Sequence, residues 1–239
     1  MMSAVGERTM RLFVILFVSF AMAAGVAATI LPGIQQQIMA EASQQSADDL
    51  AFTRTVEIEG RSKDGTETIR MVERYDPRRP DNKRWTLVSV DGREPTKDER
   101  KDADGRRSDG PIPGYYRLGN WFGTEAKAQG QASLHFQSFP KGTFDVGPID
   151  LSRRITAIAT IGGTDDAPYV TETRFRLKEP FRVMLVAKVT AFDAKTRYTR
   201  LPSGRPVLAE QTLTFTGSRF GKEGTQRTVT RYSDYVEVR

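Results

Sequence analysis

Apolar and polar side chains alternate with a period of two along most of this chain, and this pattern restricts the fold more than any other feature. The stretches 52–58, 69–75, 169–177 and 207–215 all show it. Successive side chains of a β-strand point to opposite faces, so this period is typical of strands with one apolar and one polar face. The chain is therefore predicted to be rich in β-strands.

Turn signals separate the strands and indicate how they are connected. Lys63-Asp64-Gly65, Asp91-Gly92 and Gly162-Gly163 follow predicted strands, and such residues favour tight hairpins. Few helical segments intervene, which favours antiparallel neighbours over parallel crossovers. The predicted fold class is mainly β (α+β): a curved antiparallel sheet or half-barrel with one or two covering helices, formed by a single domain over residues 43–239.

An insertion at residues 93–131 interrupts the strands. Thr96 and Glu99 fit a capping box at the start of a helix, and Gly105 is expected to end that helix. The rest of the insertion is irregular, and its aromatic residues form a candidate lid over the sheet: Tyr115, Tyr116, Trp121 and Phe122. Two alternatives stay open, namely that the polar helix is the lid and that the sheet has no lid.

The N-terminal segment contains a long apolar run. Residues 12–31 carry no charged side chain, which is typical of a secretory signal peptide, with cleavage sites at 26–28 or 40–42. About 20 apolar residues can also span a bilayer. The stretch 33–48 is predicted to be a linker or a short helix. Residues 1–42 are therefore predicted to be a signal peptide or inner-membrane anchor plus linker, and the protein to be exported and periplasmic.

Composition argues against several functional classes. The chain has no cysteine and one histidine, His135, which excludes thiolate chemistry and leaves a metal centre short of ligands. It contains no glycine-rich phosphate loop and no serine nucleophile elbow. We therefore expect a protein that is not an enzyme and that binds neither metal nor cofactor. The net charge of +6 favours anionic surfaces such as lipid headgroups, and export makes nucleic acid the poorer partner.

An antiparallel sheet with one apolar face must cover that face or bind something to it. Large apolar side chains on several predicted strands are the candidates for a ligand-binding face: Trp85, Leu87, Phe136, Phe175, Met184, Phe192 and Phe215. For each residue alone, ordinary core packing is the better explanation. A ligand cavity can therefore only be a collective property of this face.

Two stretches of the sequence resemble a known group of proteins. They are 73–99, ERYDPRRPDNKRWTLVSVDGREPTKDE, and 167–189, APYVTETRFRLKEPFRVMLVAKV, which continues to the closing RYSDY at 231–235. Both are similar to uncharacterised exported proteobacterial proteins that resemble the outer-membrane lipoprotein carrier superfamily (LolA, LolB and RseB). The resemblance implies a half-barrel of antiparallel strands closed by helices, with an apolar cavity for acyl chains and a role in sorting outer-membrane lipoproteins.

Three functions fit these observations. The first is a periplasmic lipid- or lipoprotein-binding module that buries acyl chains in a half-barrel cavity, with acyl chains, phospholipid or lipoprotein as partners and residues 12–31 available for membrane association. The second is an envelope protein-interaction or sensor module on the same scaffold, which needs no deep cavity. The third is a hydrolase, which needs paired carboxylates or a base beside a nucleophile. Large side chains that fill the inner side of the sheet would favour the second function, and a void would favour the first.

Overall fold

The long strands of this chain pair side by side in one sheet. The computed structural model describes residues 33–238 except 64, 109–111, 131, 147–148, 165, 184–186 and 220. The predicted signal or anchor segment at 12–31 lies outside these residues. Eleven strands of the described part form one antiparallel sheet, which is curved and unclosed. The predicted fold class is therefore confirmed.

The described residues contain thirteen strands: β1 Leu50–Ser62, β2 Gly65–Tyr75, β3 Trp85–Val90, β4 Lys127–Ala128, β5 Ser133–Phe136, β6 Asp145–Val146, β7 Ile149–Asp150, β8 Ile155–Thr164, β9 Ala167–Leu177, β10 Phe181–Val183, β11 Ala187–Arg200, β12 Pro206–Arg219 and β13 Lys222–Glu237. The α-helices are α1 at residues 33–43 and α2 at Lys97–Ser108. Short 3₁₀ helices cover Ala47–Asp49, Asp81–Lys83 and Tyr115–Asn120. Within the described part of the chain, neither α-helix is long and apolar enough to cross a membrane.

The strand order places the first and the last strand side by side within the sheet. It runs β3-β2-β1-β13-β12-β11-β9-β8-β5-β4, with β10 paired to β11, while β6 and β7 form a separate hairpin. β1 pairs with β2 on one side and with β13 on the other. Turn chemistry follows the sequence signals, since Asp91 and Gly92 after β3 both have positive φ angles, 50° and 78°. Tight hairpin turns require this conformation.

The predicted capping box at the start of α2 is present, but the predicted end of the helix is wrong. The Glu99 amide donates to Thr96 Oγ1 at 3.2 Å, and the Thr96 amide donates to Glu99 Oε2 at 2.8 Å. The helix then continues past Gly105 to Ser108. A glycine costs about 1 kcal/mol inside a helix and does not by itself end one.

The outer face of the sheet carries a ladder of ion pairs across five strands. Glu57 of β1 contacts Arg70 of β2 at 3.6 Å and Arg231 of β13 at 3.1 Å. Glu210 of β12 contacts Arg231 at 3.2 Å and Arg197 of β11 at 2.6 Å. The hydrogen bond from Arg197 holds the pKa of the Glu210 carboxyl below its usual range. Each exposed pair contributes little to stability, but together the pairs keep this face polar.

The inner face of the sheet carries three clusters of buried side chains. The largest joins α1 and the 3₁₀ helix Tyr115–Asn120 to strands β5, β8, β9, β10 and β11. A second cluster surrounds Phe52 of β1 and includes residues of β2, β12 and β13. A third packs Ala103 of α2 on Leu87 and Val90 of β3. These clusters leave part of the inner face of the central strands uncovered.

Helix α1 belongs to the packed core. Ile38 is fully buried in the largest cluster, and Gln35 donates hydrogen bonds to backbone carbonyl groups in the segment 122–124. Arg200 of β11 contacts Glu41 at 2.9 Å. Of the two structures predicted for residues 33–48, the helix is therefore the one present at 33–43, and it is packed on the sheet rather than free.

The burial of Ile38 gives a test of the role of α1. Replacement of this residue by alanine should lower the free energy of unfolding by about 2–5 kcal/mol, because it removes apolar atoms and leaves a cavity. Gln37→Ala, on the exposed side of the same helix, is the matched control and should change that free energy by less than about 0.5 kcal/mol. Urea unfolding measures both values, and equal effects would show that α1 is not part of the core.

Candidate functional site

An open cavity lies on the inner face at one end of the central strands. Its volume is about 860 Å³, and its walls come from β1, β2 and β10–β13. Val183, Ala187, Val189 and Phe215 give it apolar surface. We call this cavity the trough. It opens to solvent, so a ligand can reach it without displacing any described segment.

Small residues form the floor of the trough. Ser62 of β1 pairs with Gly65 of β2 and with Gly224 of β13. Gly224 also pairs with Gly217 of β12. Two positions before Ser62 lies Gly60, where a Cβ atom would meet no atom within 4 Å. Because glycines add no side chain to the sheet surface, this row of small residues leaves the space that becomes the trough.

Apolar side chains continue the floor towards the middle of the sheet. Ile58 faces Ile69 across β1 and β2, and Phe192 faces Phe215 across β11 and β12. All four are at least partly exposed, and Ile69 is 45% exposed. Transfer of such surface out of water is favourable, so a ligand that covers this floor would be stabilised by it.

Basic side chains outnumber acidic ones around the trough. Arg61, Lys188 and Lys222 line it together with Glu67. Arg61 forms an ion pair with Glu59, whereas Lys188 and Lys222 have no ion-pair partner within the described residues. Lys222 has the same register on β13 as Gly224 and Gln226, so it places a positive charge at the mouth of the trough, where Glu67 also lies.

The largest cluster fills the inner face beside the trough. The ring centroid of Trp121 lies 5.0 Å from that of Phe175 and 5.1 Å from that of Phe136. Phe192 and Phe215 pack against this cluster and are partly exposed. The structure thus brings three predicted lid residues, Tyr115, Trp121 and Phe122, together with four residues of the predicted ligand-binding face.

The predicted lid residues also hold the segment 112–122 in place. Phe122 is fully buried. The Tyr115 hydroxyl is also buried and accepts a hydrogen bond from the Val170 amide at 3.0 Å. Tyr116 is half-buried, and its hydroxyl donates to a carbonyl oxygen four residues earlier. The segment is therefore anchored to the sheet by both apolar contacts and hydrogen bonds.

Three predicted face residues lie elsewhere. Trp85 packs in the second cluster, where the Arg54 guanidinium lies 4.1 Å from its ring centroid. Leu87 is buried in the third cluster with Ala103 of α2. Met184 lies outside the described residues. The predicted apolar face is thus divided among three clusters.

A row of polar side chains crosses the inner face next to the second cluster. Arg54 of β1 donates to Glu73 of β2 at 2.6 Å. Farther along the row, the Tyr232 hydroxyl donates to Gln211 Oε1 at 2.6 Å. Burial raises the pKa of Tyr232 to about 12, so this hydroxyl stays protonated and acts as a donor near neutral pH.

This row lines a second cavity, which we call the polar chamber. Its volume is about 350 Å³, and residues of the segment 113–121 form its opposite wall. Its polar lining includes Arg54, Arg117, Asn120, Thr173, Thr196 and Thr230. No group of three or more histidine, aspartate or glutamate side chains in the described residues is placed to hold a metal ion.

The sequence analysis predicted neither the polar chamber nor the glycine floor of the trough. One signal for the chamber was visible, because Arg54 occupies the apolar register of β1 between Phe52 and Val56. A charged residue in an apolar stripe needs a partner when the stripe is buried. The glycine floor gives no local signal, since Gly60, Gly217 and Gly224 meet only through the pairing of distant strands.

The pair of Arg54 and Glu73 gives a second test. The side chains are 22% and 5% exposed, so Glu73→Gln leaves a largely buried guanidinium without its counter-charge and should lower the free energy of unfolding by about 3 kcal/mol. The double variant Arg54→Met/Glu73→Leu removes both charges and should be closer to the wild type. Denaturant unfolding of both variants measures the difference, and a double variant that is no more stable than Glu73→Gln would contradict this explanation.

Comparisons with known proteins give weak similarities. No protein-family model and no curated protein matches the sequence. A solved structure of a DUF1329 family protein from Desulfovibrio piger is similar at a TM-score of 0.33 and 8% identity, covering 86% of this chain and 92% of that chain. A LolA superfamily protein from Nitrosomonas europaea is similar at a TM-score of 0.31 and 13% identity, covering 85% of this chain and 93% of that chain.

Proposed function

We propose that this protein is a lipid- or lipoprotein-binding module that buries acyl chains in the trough. The observation that carries the proposal is the open cavity of about 860 Å³ on the inner face of the sheet, with Val183, Val189 and Phe215 among its lining residues. Cavities that bind small ligands measure about 300–1,000 Å³ and are lined mainly by apolar side chains. An acyl chain suits the floor of this cavity, where Val183, Val189 and Phe215 lie beside glycines that leave room for it.

The energy of binding comes from apolar surface that the protein leaves uncovered. Each methylene group that an acyl chain buries contributes about 0.8 kcal/mol. Ile69 is 45% exposed, and the half-buried Ile58 and Leu213 extend the same surface. A flexible chain can follow this floor without a deep preformed pocket.

The ligand is expected to enter through the open end of the trough. Tyr115, Trp121 and Phe122 are buried in the largest cluster, so movement of their segment would expose a large aromatic surface to water. We therefore assign the segment 112–122 the role of a fixed wall beside the ligand rather than a moving lid. The trough needs no such movement, because it is already open to solvent.

The proposal includes a location outside the cytoplasm. The apolar run at 12–31 is expected to export the protein to the periplasm or to anchor it in the inner membrane. Phospholipids and acylated proteins are available to a protein in either position.

Native mass spectrometry tests the proposal directly. The full-length protein is purified from the cells that produce it without denaturation, and lipids are extracted from the same sample. A phospholipid or acylated peptide that co-purifies in near-stoichiometric amount is the expected result. An empty protein that also takes up no fluorescent fatty acid would overturn the proposal and favour the alternative, an envelope protein-interaction or sensor module.

A substitution at Gly60 tests the position of the acyl chain. Gly60→Phe should fill the trough without strain, because no atom lies within 4 Å of the new Cβ position. Stability should be unchanged or higher by up to about 1 kcal/mol, since glycine is unfavourable inside strands. The affinity for a fluorescent fatty acid, measured by titration, should fall at least about tenfold.

The matched control for this variant is Glu59→Phe. It places the same ring on the neighbouring residue of β1, which points to the opposite face of the sheet. The loss of the exposed ion pair between Glu59 and Arg61 should matter little, so affinity should stay at the wild-type value. Equal affinities of the Gly60→Phe variant and the wild type would place the acyl chain outside the trough.

A further inference from the structure

The electric charge in the polar chamber is not balanced. Two arginines, Arg54 and Arg117, line the chamber, and no carboxylate is among its lining residues. Arg54 is neutralised by Glu73, whose carboxylate lies 2.6 Å away. Arg117 has no ion-pair partner among the described residues. One positive charge is therefore left without a counter-charge in a half-enclosed space.

Hydroxyl groups surround the space beside Arg117. Thr173, Thr196 and Thr230 are buried and line the chamber. Thr173 lies next to the Tyr198 hydroxyl, but its Oγ1 atom makes no hydrogen bond of normal geometry within the described part of the chain. A buried polar group without a partner costs free energy, so a ligand that carries acceptor oxygens would be stabilised here.

We infer that the polar chamber binds the anionic head group of an amphiphile, a carboxylate or a phosphate, while the tail of the same molecule lies in the trough. The inference rests on the proposed function and specifies the class of ligand. Arginine binds both head groups through charge-assisted hydrogen bonds, which are stronger than neutral ones. The partly enclosed walls strengthen the attraction, because they replace water with a medium of lower dielectric constant.

The two cavities lie on one face of the same strands. On β13, Thr230 lines the chamber and Gln226 lines the trough; on β12, Gln211 and Phe215 do the same. Four residues along a strand correspond to about 13 Å. The inward-facing residues between these pairs, Leu213 on β12 and Thr228 on β13, are half-buried. An extended amphiphile can therefore pass from one cavity to the other along the floor.

The opposite orientation would place the head group at the mouth of the trough, beside Lys222. This lysine is exposed, and attraction between exposed charges is screened by water and salt. Arg117 is half-buried, so its attraction for an anion is screened less. In one orientation the charge of Arg117 determines the preference for an anionic ligand, and in the other the charge of Lys222 does. Removal of each charge in turn distinguishes the two orientations.

Competition by three twelve-carbon compounds tests the inference. The full-length protein is loaded with the uncharged fluorescent probe N-phenyl-1-naphthylamine, which is displaced by dodecanoate, dodecyl phosphate or dodecanol. In the wild type, at least one of the two anions should compete at least about tenfold more strongly than the alcohol. Whichever anion is preferred, carboxylate or phosphate, identifies the source of the head group.

Charge variants locate the head group. Arg117→Gln should reduce the affinity for the preferred anion to that for dodecanol and leave dodecanol unchanged. Arg117→Lys, which keeps the charge, should retain part of the preference and shows that the segment still folds. Lys222→Gln is the matched control, with one positive charge removed from the mouth, and should keep the full preference.

The possible failures are distinguishable. If dodecanoate, dodecyl phosphate and dodecanol compete equally in the wild type, the head-group site is overturned and the proposed acyl-chain binding stands. A preference that survives Arg117→Gln, or that disappears in Lys222→Gln, also overturns the site in the polar chamber. If none of the three compounds displaces the probe and no fatty acid binds, the proposed function itself is wrong.

Discussion

The structure depends on how its sheet covers its own apolar face. The outer face carries exposed ion pairs, such as those of Arg231 with Glu57 and Glu210, and is polar. The apolar side chains of the long strands must therefore be buried on the inner side. Aromatic packing around Trp121 does this for the strands β5, β8 and β9. The ends of the central strands receive no such cover, and their small residues leave a surface that a ligand can bury instead.

The sequence was sufficient for the fold class but not for the site. Period-two alternation predicted the strands, and the turn signal at residues 63–65 predicted the antiparallel connection of β1 and β2. Trp121 was predicted to belong to a lid and Phe175 to the ligand-binding face, and the two rings are in contact. The site itself depends on which strands become neighbours. The pairing of β1 with β13 brings Gly224 beside Ser62, and no local pattern in a sequence reveals a contact between residues so far apart.

The buried polar row is explained better by function than by stability. A buried ion pair such as Arg54 with Glu73 is often no more stable than apolar residues of the same volume, because both charges must leave water. An apolar row at this position would join the second cluster to the largest one and close the space between them. The polar row keeps that space open and lines it with hydrogen-bonding groups, which is the property a head-group site requires.

Bulges in two strands extend the face that the trough and the chamber share, one at each end. In a regular strand, Val189 and Phe192 of β11 would point to opposite faces, as would Leu208 and Gln211 of β12. The register of this pair of strands shifts once between Val189 and Ala191 and again beside Leu208. An extra residue in a strand reverses the faces of the residues that follow. Each bulge therefore places on the inner face a side chain that regular alternation would place on the outer face. The continuous inner surface from Val189 to Leu208 depends on these two interruptions of the alternation.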